Sequence, residues 1–238
     1  MATAVKKTSG TPGSRVGRQR RPDDVGGAMR QPAPGGHRRR WAGALASMAV
    51  ALWLAVPSAN AEPLRSASDF AAISDTKARA EAMFQEVGKV LQHPRCLNCH
   101  PSADRPSQGE GMRPHQPAVA RGADGHGVAG LPCMACHGAS NYPVTAAFSM
   151  PGHHDWHLAP IGMAWQGKSL REICLQISDR NRNGGKSMQQ IVDHMATDSL
   201  VGWGWQPGVG RSAAPGSQQQ FGELFKAWVD AGAHCPRG

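Results

Sequence analysis

The sequence predicts a mainly α fold with little or no sheet, in which short helices are joined by long loops. Three observations predict it. Apolar residues recur at three- and four-residue steps in a first segment near residue 80 and a last one near residue 225, the period of a helix with one buried face. Three capping-box words, Ser169-x-x-Glu172, Ser187-x-x-Gln190 and Ser217-x-x-Gln220, mark further helix starts. No stretch alternates apolar and polar residues convincingly, and 101–132 and 138–167 are dense in Gly, Pro and polar residues, which reads as loop.

The first 61 residues read as an export leader, ahead of a single domain over 62–238. An Arg38-Arg39-Arg40 cluster precedes an apolar run from Trp41 to Val56, Pro57 breaks the run, and Ala59-Asn60-Ala61 supplies a small-residue cleavage site. The run is shorter than the ~20 residues a spanning helix needs, so membrane contact is expected only through the leader. Met29 would open a leader of ordinary length, which leaves 1–28 as a stretch before an alternative start. Ten of the 26 Lys and Arg residues but two of the 17 Asp and Glu residues lie within 1–61, so the formal charge of +9 falls to +1 for 62–238. The basicity belongs to the leader, and nucleic-acid binding loses its electrostatic support.

Asp75 to His93 is the first helix: Ala80, Met83, Phe84, Val87, Val90 and Leu91 line one face, and Pro94 stops it. Helices from Ser169, Ser187 and Ser217 close the chain. The last carries Phe221, Leu224, Phe225, Trp228 and Val229 on one side, ends at Gly232, and is expected to cross the first.

Between these helices lie two copies of one word, Cys96-Leu97-Asn98-Cys99-His100 and Cys133-Met134-Ala135-Cys136-His137. CxxCH is the attachment pattern of haem c. Two thiols three residues apart reach the two vinyl groups of one porphyrin, and the next histidine falls beneath the iron. The word therefore predicts two haem c groups, held covalently by Cys96, Cys99, Cys133 and Cys136, with His100 and His137 as proximal iron ligands. Two redox CxxC motifs or one four-thiolate zinc site are the rival readings. Neither uses the histidine that follows both pairs. Cys174 and Cys235 remain, an even remainder that suggests a disulfide in an oxidising compartment.

The sixth ligand separates an electron carrier from an enzyme, because a saturated iron favours electron transfer and an open one permits peroxide or oxygen chemistry. His115, stiffened between prolines in Pro114-His115-Gln116-Pro117, and His157, in a rigid apolar stretch running to Trp165, are the first distal candidates. Met163 and His194 come second. Gly162 to Ser169 matches the phosphate-binding P-loop word. Pro160 interrupts the strand such a loop requires and Trp165 would crowd it, so Ser169 reads as a helix cap and no nucleotide is expected.

From Val87 to Pro236 the chain resembles small exported di-haem c-type cytochromes known as isoquinoline 1-oxidoreductase subunits. The resemblance is carried by His93-Pro94-Arg95 ahead of the first CxxCH, Pro114-His115-Gln116-Pro117, the His157 to Trp165 stretch, Trp203-Gly204-Trp205, and the run from Trp228 to Pro236. It implies a cytochrome c-like fold of helices and long loops wrapped around two haems. It also implies a periplasmic electron-acceptor subunit or partner of a molybdenum hydroxylase, passing electrons on to a terminal cytochrome or oxidase, with no catalytic activity of its own. The His115 loop is also similar to the small di-haem subunit of periplasmic nitrate reductase, which would make the chain a donor to a reductase. Di-haem peroxidases share the two CxxCH words, but they are longer and have more sequence between their haems.

Overall fold

The computed structural model describes residues 63–237, so the leader expected over 1–61 lies outside the described residues. Its helices are α1 (Thr76–Leu91), α2 (Pro94–Leu97), α3 (Leu170–Ser178), α4 (Met188–Thr197), α5 (Ser199–Gly202) and α6 (Gln218–Asp230). Local chemistry explains each long start. Asp75 accepts the Ala78 N–H at 2.7 Å at the head of α1. Ser169 and Ser187 make complete capping boxes with Glu172 and Gln190. At Ser217 the hydroxyl accepts the Gln220 N–H, and α6 is capped by that bond.

Helices α1, α3, α4 and α6 bury one continuous core. Phe84 of α1 meets Trp228 of α6 with ring centroids 4.6 Å apart, and Phe225 packs edge-on against the same indole at 5.0 Å. All three rings are fully buried. Gly222 lets α6 press against α4, since a Cβ there would sit 2.5 Å from that of Ala196. The indole N–H of Trp228 donates to the His234 carbonyl at 3.0 Å, tying α6 to the tail that follows it. A disulfide joins Cys174 in α3 to Cys235, with Cα atoms 5.6 Å apart, and Arg171 donates to the neighbouring Pro236 carbonyl.

The expectation of a mainly α chain with little or no sheet is corrected. Three antiparallel two-stranded sheets pair β1 (Ser107–Gln108) with β2 (Arg113–Pro114), β3 (Gly127–Val128) with β4 (Leu131–Pro132), and β5 (Ser140–Thr145) with β6 (Phe148–His153). The fold is therefore mixed α and β. All three sheets lie in the stretches whose Gly and Pro content reads as loop. In β5–β6 the prolines occupy strand positions, Pro143 opposite Ser149 and Pro151 near the end of β6, and the ladder absorbs them through register shifts. A two-stranded ribbon has two edges, so a residue lacking an N–H can face outward. β5 is exposed at all but one position and β6 is buried only at Ser149 and Gly152, so neither strand shows the alternation that marks a strand in sequence. No described helix is long and apolar enough to cross a membrane.

The Cys174–Cys235 bond closes a loop spanning a sequence separation of 61 residues, worth about 4 kcal/mol in the chain-entropy account. Replacing both cysteines with serine should lower unfolding stability by about 2–4 kcal/mol, read from the urea midpoint of otherwise identical protein. An unchanged midpoint would mean that the bond constrains nothing.

Candidate functional site

Each CxxCH word borders its own cavity. Cys96 sits in α2, whose helical turn is started by His93 accepting the Arg95 N–H through Nδ1. The turn continues through backbone bonds to His100, so Cys96, Cys99 and His100 line one cavity of about 350 Å³. The second word begins as a 3₁₀ turn over Cys133–Ala135, and the His137 N–H closes on the Cys133 carbonyl at 3.0 Å. Cys136 and His137 line a second cavity of about 380 Å³. Cys133 lines neither of these two cavities, and its thiol lies 3.8 Å from the Gly125 carbonyl. Both volumes lie in the range of small-molecule and cofactor sites.

The two histidines are held in the same way. His100 Nδ1 lies 2.7 Å from the Met163 carbonyl oxygen, and His137 Nδ1 lies 2.7 Å from that of Pro151. A carbonyl can only accept, so Nδ1 carries the proton in each ring and Nε2 keeps its lone pair. This is the tautomer a metal-ligating histidine needs, with its other nitrogen tied to a fixed acceptor. An indole completes each setting: Trp165 stacks on His100 at 3.6 Å and 2°, and Trp156 on His137 at 4.8 Å and 18°. Burial favours the neutral ring in both cases. It drives His100 down to about 4 against the opposing Met163 bond, and lowers His137 in the same sense. Burial likewise pushes the Cys96 thiol up to about 12 and Cys99 up to about 11, so both are neutral thiols at physiological pH.

The distal candidates fall in different places. His115 lines the second cavity with its ring centroid 5.9 Å from that of His137. Two imidazoles on opposite sides of one metal need about 6 Å, from two bonds of about 2 Å and the ring radii. His115 is held by its N–H on the Pro106 carbonyl and by Nδ1 at 3.0 Å from the Pro117 carbonyl, which again leaves Nε2 free. His194 of α4 lines the first cavity with His100, and Asp198 stands 3.3 Å from its Nδ1. Met163 also lines the first cavity, and its carbonyl anchors His100. His157 borders both cavities, with Nδ1 directed to the Asp155 carbonyl at 2.9 Å.

Arg95, Cys99, His157 and Trp203 belong to the walls of both cavities, so the two lie side by side. Trp203 meets Trp156 edge-on at 4.9 Å and donates its indole N–H to Asn141. Arg95 is the polar residue that sequence reasoning missed. Its side chain is 2% exposed, its Nη2 bonds Glu110 at 2.7 Å, and its Nε has no partner. Arg211, lowered chiefly by burial and then by the nearby Arg95 charge, lines the second cavity as well. A buried guanidinium with an unused N–H beside a second cation suits a ligand that carries carboxylates. A haem, with its two propionates, fits this donor set: two thiols and an Nε2 lone pair at the first cavity, the Cys136 thiol and an Nε2 lone pair at the second, indole walls, Arg95 between the cavities and Arg211 in the second. The one signal for Arg95 in the sequence is its place directly before Cys96.

No family model, curated protein or solved structure matches the chain.

Gln176 supports the first setting from behind. It is fully buried, accepts the Trp165 indole N–H at 2.6 Å and donates to the Arg182 carbonyl at 2.7 Å. Q176L would strand both partners, so it should cost at least about 2 kcal/mol of stability, read from urea unfolding. A loss below about 0.5 kcal/mol would show that Trp165 does not depend on this bond.

Proposed function

We propose that this chain is an exported di-haem c-type cytochrome that carries single electrons and has no catalytic activity of its own. The observation that carries the reading is the duplicated Nδ1-to-carbonyl anchor, which leaves His100 and His137 each with a free Nε2 directly after a Cys-x-x-Cys pair. A six-coordinate haem iron exchanges one electron at a time between its ferric and ferrous states, at a potential tuned by its axial ligands.

The protein's part is to bind, orient and shield. Cys96 and Cys99 would hold one haem and Cys133 and Cys136 the other, with His100 and His137 offering Nε2 as the proximal iron ligands. His115 is assigned to the distal side opposite His137, on the strength of their 5.9 Å separation. His194 is assigned opposite His100, because it shares that cavity and has Asp198 behind its Nδ1. Two histidines per iron leave no open position for substrate, which favours electron transfer over peroxidase chemistry. Adjacent cavities sharing Cys99 and Trp203 favour transfer between the two centres.

The Cys174–Cys235 bond suits an oxidising compartment such as the periplasm. We infer from the resemblance that the redox partner is a molybdenum hydroxylase of the isoquinoline 1-oxidoreductase kind, with this chain accepting its electrons. The test is spectroscopic. Both centres should be low-spin and six-coordinate in both redox states, and H115A should convert one of the two to high-spin. A high-spin ferric centre in the unaltered protein, or H115A spectra in which both remain low-spin, would contradict the assignment.

A further inference from the structure

A third cluster of donors lies outside the two motifs. His126, Asp155 and His157 each offer one ligand atom, and these atoms all lie within 4.8 Å of one another. His126 sits on the turn that leads into β3 and the second cysteine pair, and Asp155 and His157 on the segment after β6. The turn is held in place by its own backbone: the Gly127 N–H donates to the Arg121 carbonyl at 2.8 Å, and the Leu158 N–H to Gly125 at 3.0 Å. The two donor-bearing segments are therefore already pinned side by side.

The distances match a small divalent ion. Asp155 Oδ1 lies 2.9 Å from His126 Nε2 and 3.4 Å from His157 Nδ1; the His157 Nδ1 proton, donated to the Asp155 carbonyl at 2.9 Å, would be displaced by the ion on binding. Ligand atoms around a tetrahedral ion with bonds of about 2.0 Å stand about 3.3 Å apart. The remaining span, between the two imidazoles, closes by rotation of His126, whose side chain is 43% exposed. The other nitrogen of His126 is placed for a supporting bond. Its Nδ1 is shielded and has no hydrogen-bond partner, while the Asp124 carboxylate waits 3.5 Å away. Ligation through Nε2 would fix the proton on Nδ1 and direct it to that carboxylate, the aspartate–histidine–metal arrangement that orients a metal ligand.

We propose that His126, Asp155 and His157 form a binding site for a divalent ion of the zinc class, with Asp124 as the positioning residue behind His126. Two imidazoles and one carboxylate suit an ion of borderline softness and exclude calcium and magnesium, which take oxygen ligands. Water completes the tetrahedron on the solvent side. The ion clamps the 124–126 turn to the 155–157 segment. Because His157 borders both cavities, the clamp stiffens the wall between them. The site does not depend on the haem reading, since none of its donors is a motif residue.

The test is a calorimetric titration of tag-free, chelator-treated full-length protein with zinc chloride. One saturable site per chain is expected, weakened at least tenfold in both H126Q and D155N and unchanged in H154Q, which alters a neighbouring histidine outside the donor set. X-ray absorption of the zinc-loaded protein should show a shell of nitrogen and oxygen at about 2.0 Å without sulfur, which would appear at about 2.3 Å. No saturable uptake, uptake that survives H126Q and D155N, or a sulfur shell from the motif cysteines would each overturn the proposal.

Discussion

His100 and His137 are each oriented by a backbone carbonyl that accepts from Nδ1, and the loops around both motifs are arranged to supply that acceptor. For His100 the acceptor comes from Met163, 63 residues further on, and for His137 from Pro151, 14 residues further on. Both carbonyls belong to segments with few helix-forming residues. The segment from 138 to 167 must therefore be held by other means. The β5–β6 ribbon fixes Pro151, and the His100 carbonyl accepts the N–H groups of Trp165 and Gln166, which fixes the chain beside Met163. The indole that stacks on each imidazole is delivered by the same segment: Trp156 follows β6, and Trp165 follows the Met163 turn.

The helical core serves as the platform for this arrangement. Packing of α1 against α6 and the Cys174–Cys235 bond hold α3 and α4 in place, and α4 presents His194 to the first cavity. Arg121 draws the connecting loop inward by donating to the carbonyls of Pro101, Ala103 and Ala159. Arg95, directly before the first motif, bonds Glu110, whose carboxylate also accepts from Ser212. Burial works to raise Glu110, and the donors from Ser212 and Arg95 outweigh it, so the carboxylate stays ionised. One ion pair, its guanidinium buried and its carboxylate half-exposed, thus joins the first motif, the following loop and the segment ahead of α6.

How much of this could be read in the sequence depends on whether the signal is local. The face of α1 from Ala80 to Leu91 is buried residue for residue, because helical periodicity is written in neighbouring positions. The serine caps of α3, α4 and α6 are local for the same reason. The sheets were not legible: Pro143 and Pro151 signal loop, and the structure pairs their strands through irregular register that no short-range pattern encodes. The motifs give the thiols and the histidines proposed as proximal ligands, but the stacking of Trp165 on His100, the carbonyls of Met163 and Pro151, and the approach of His115 to His137 are set by contacts between distant segments. Arg95 hides for another reason. A lone arginine reads as a surface charge until the fold buries it between two cavities.

The central claim is that each anchored histidine stands beneath a covalently attached haem. The most direct measurement is the intact mass of the purified, denatured chain after expression in a host that attaches haem c, together with peptide mapping. Two haem additions per chain are expected, one on the Cys96–Cys99 peptide and one on the Cys133–Cys136 peptide. An unmodified chain, or free thiols at either pair in protein from such a host, would contradict it.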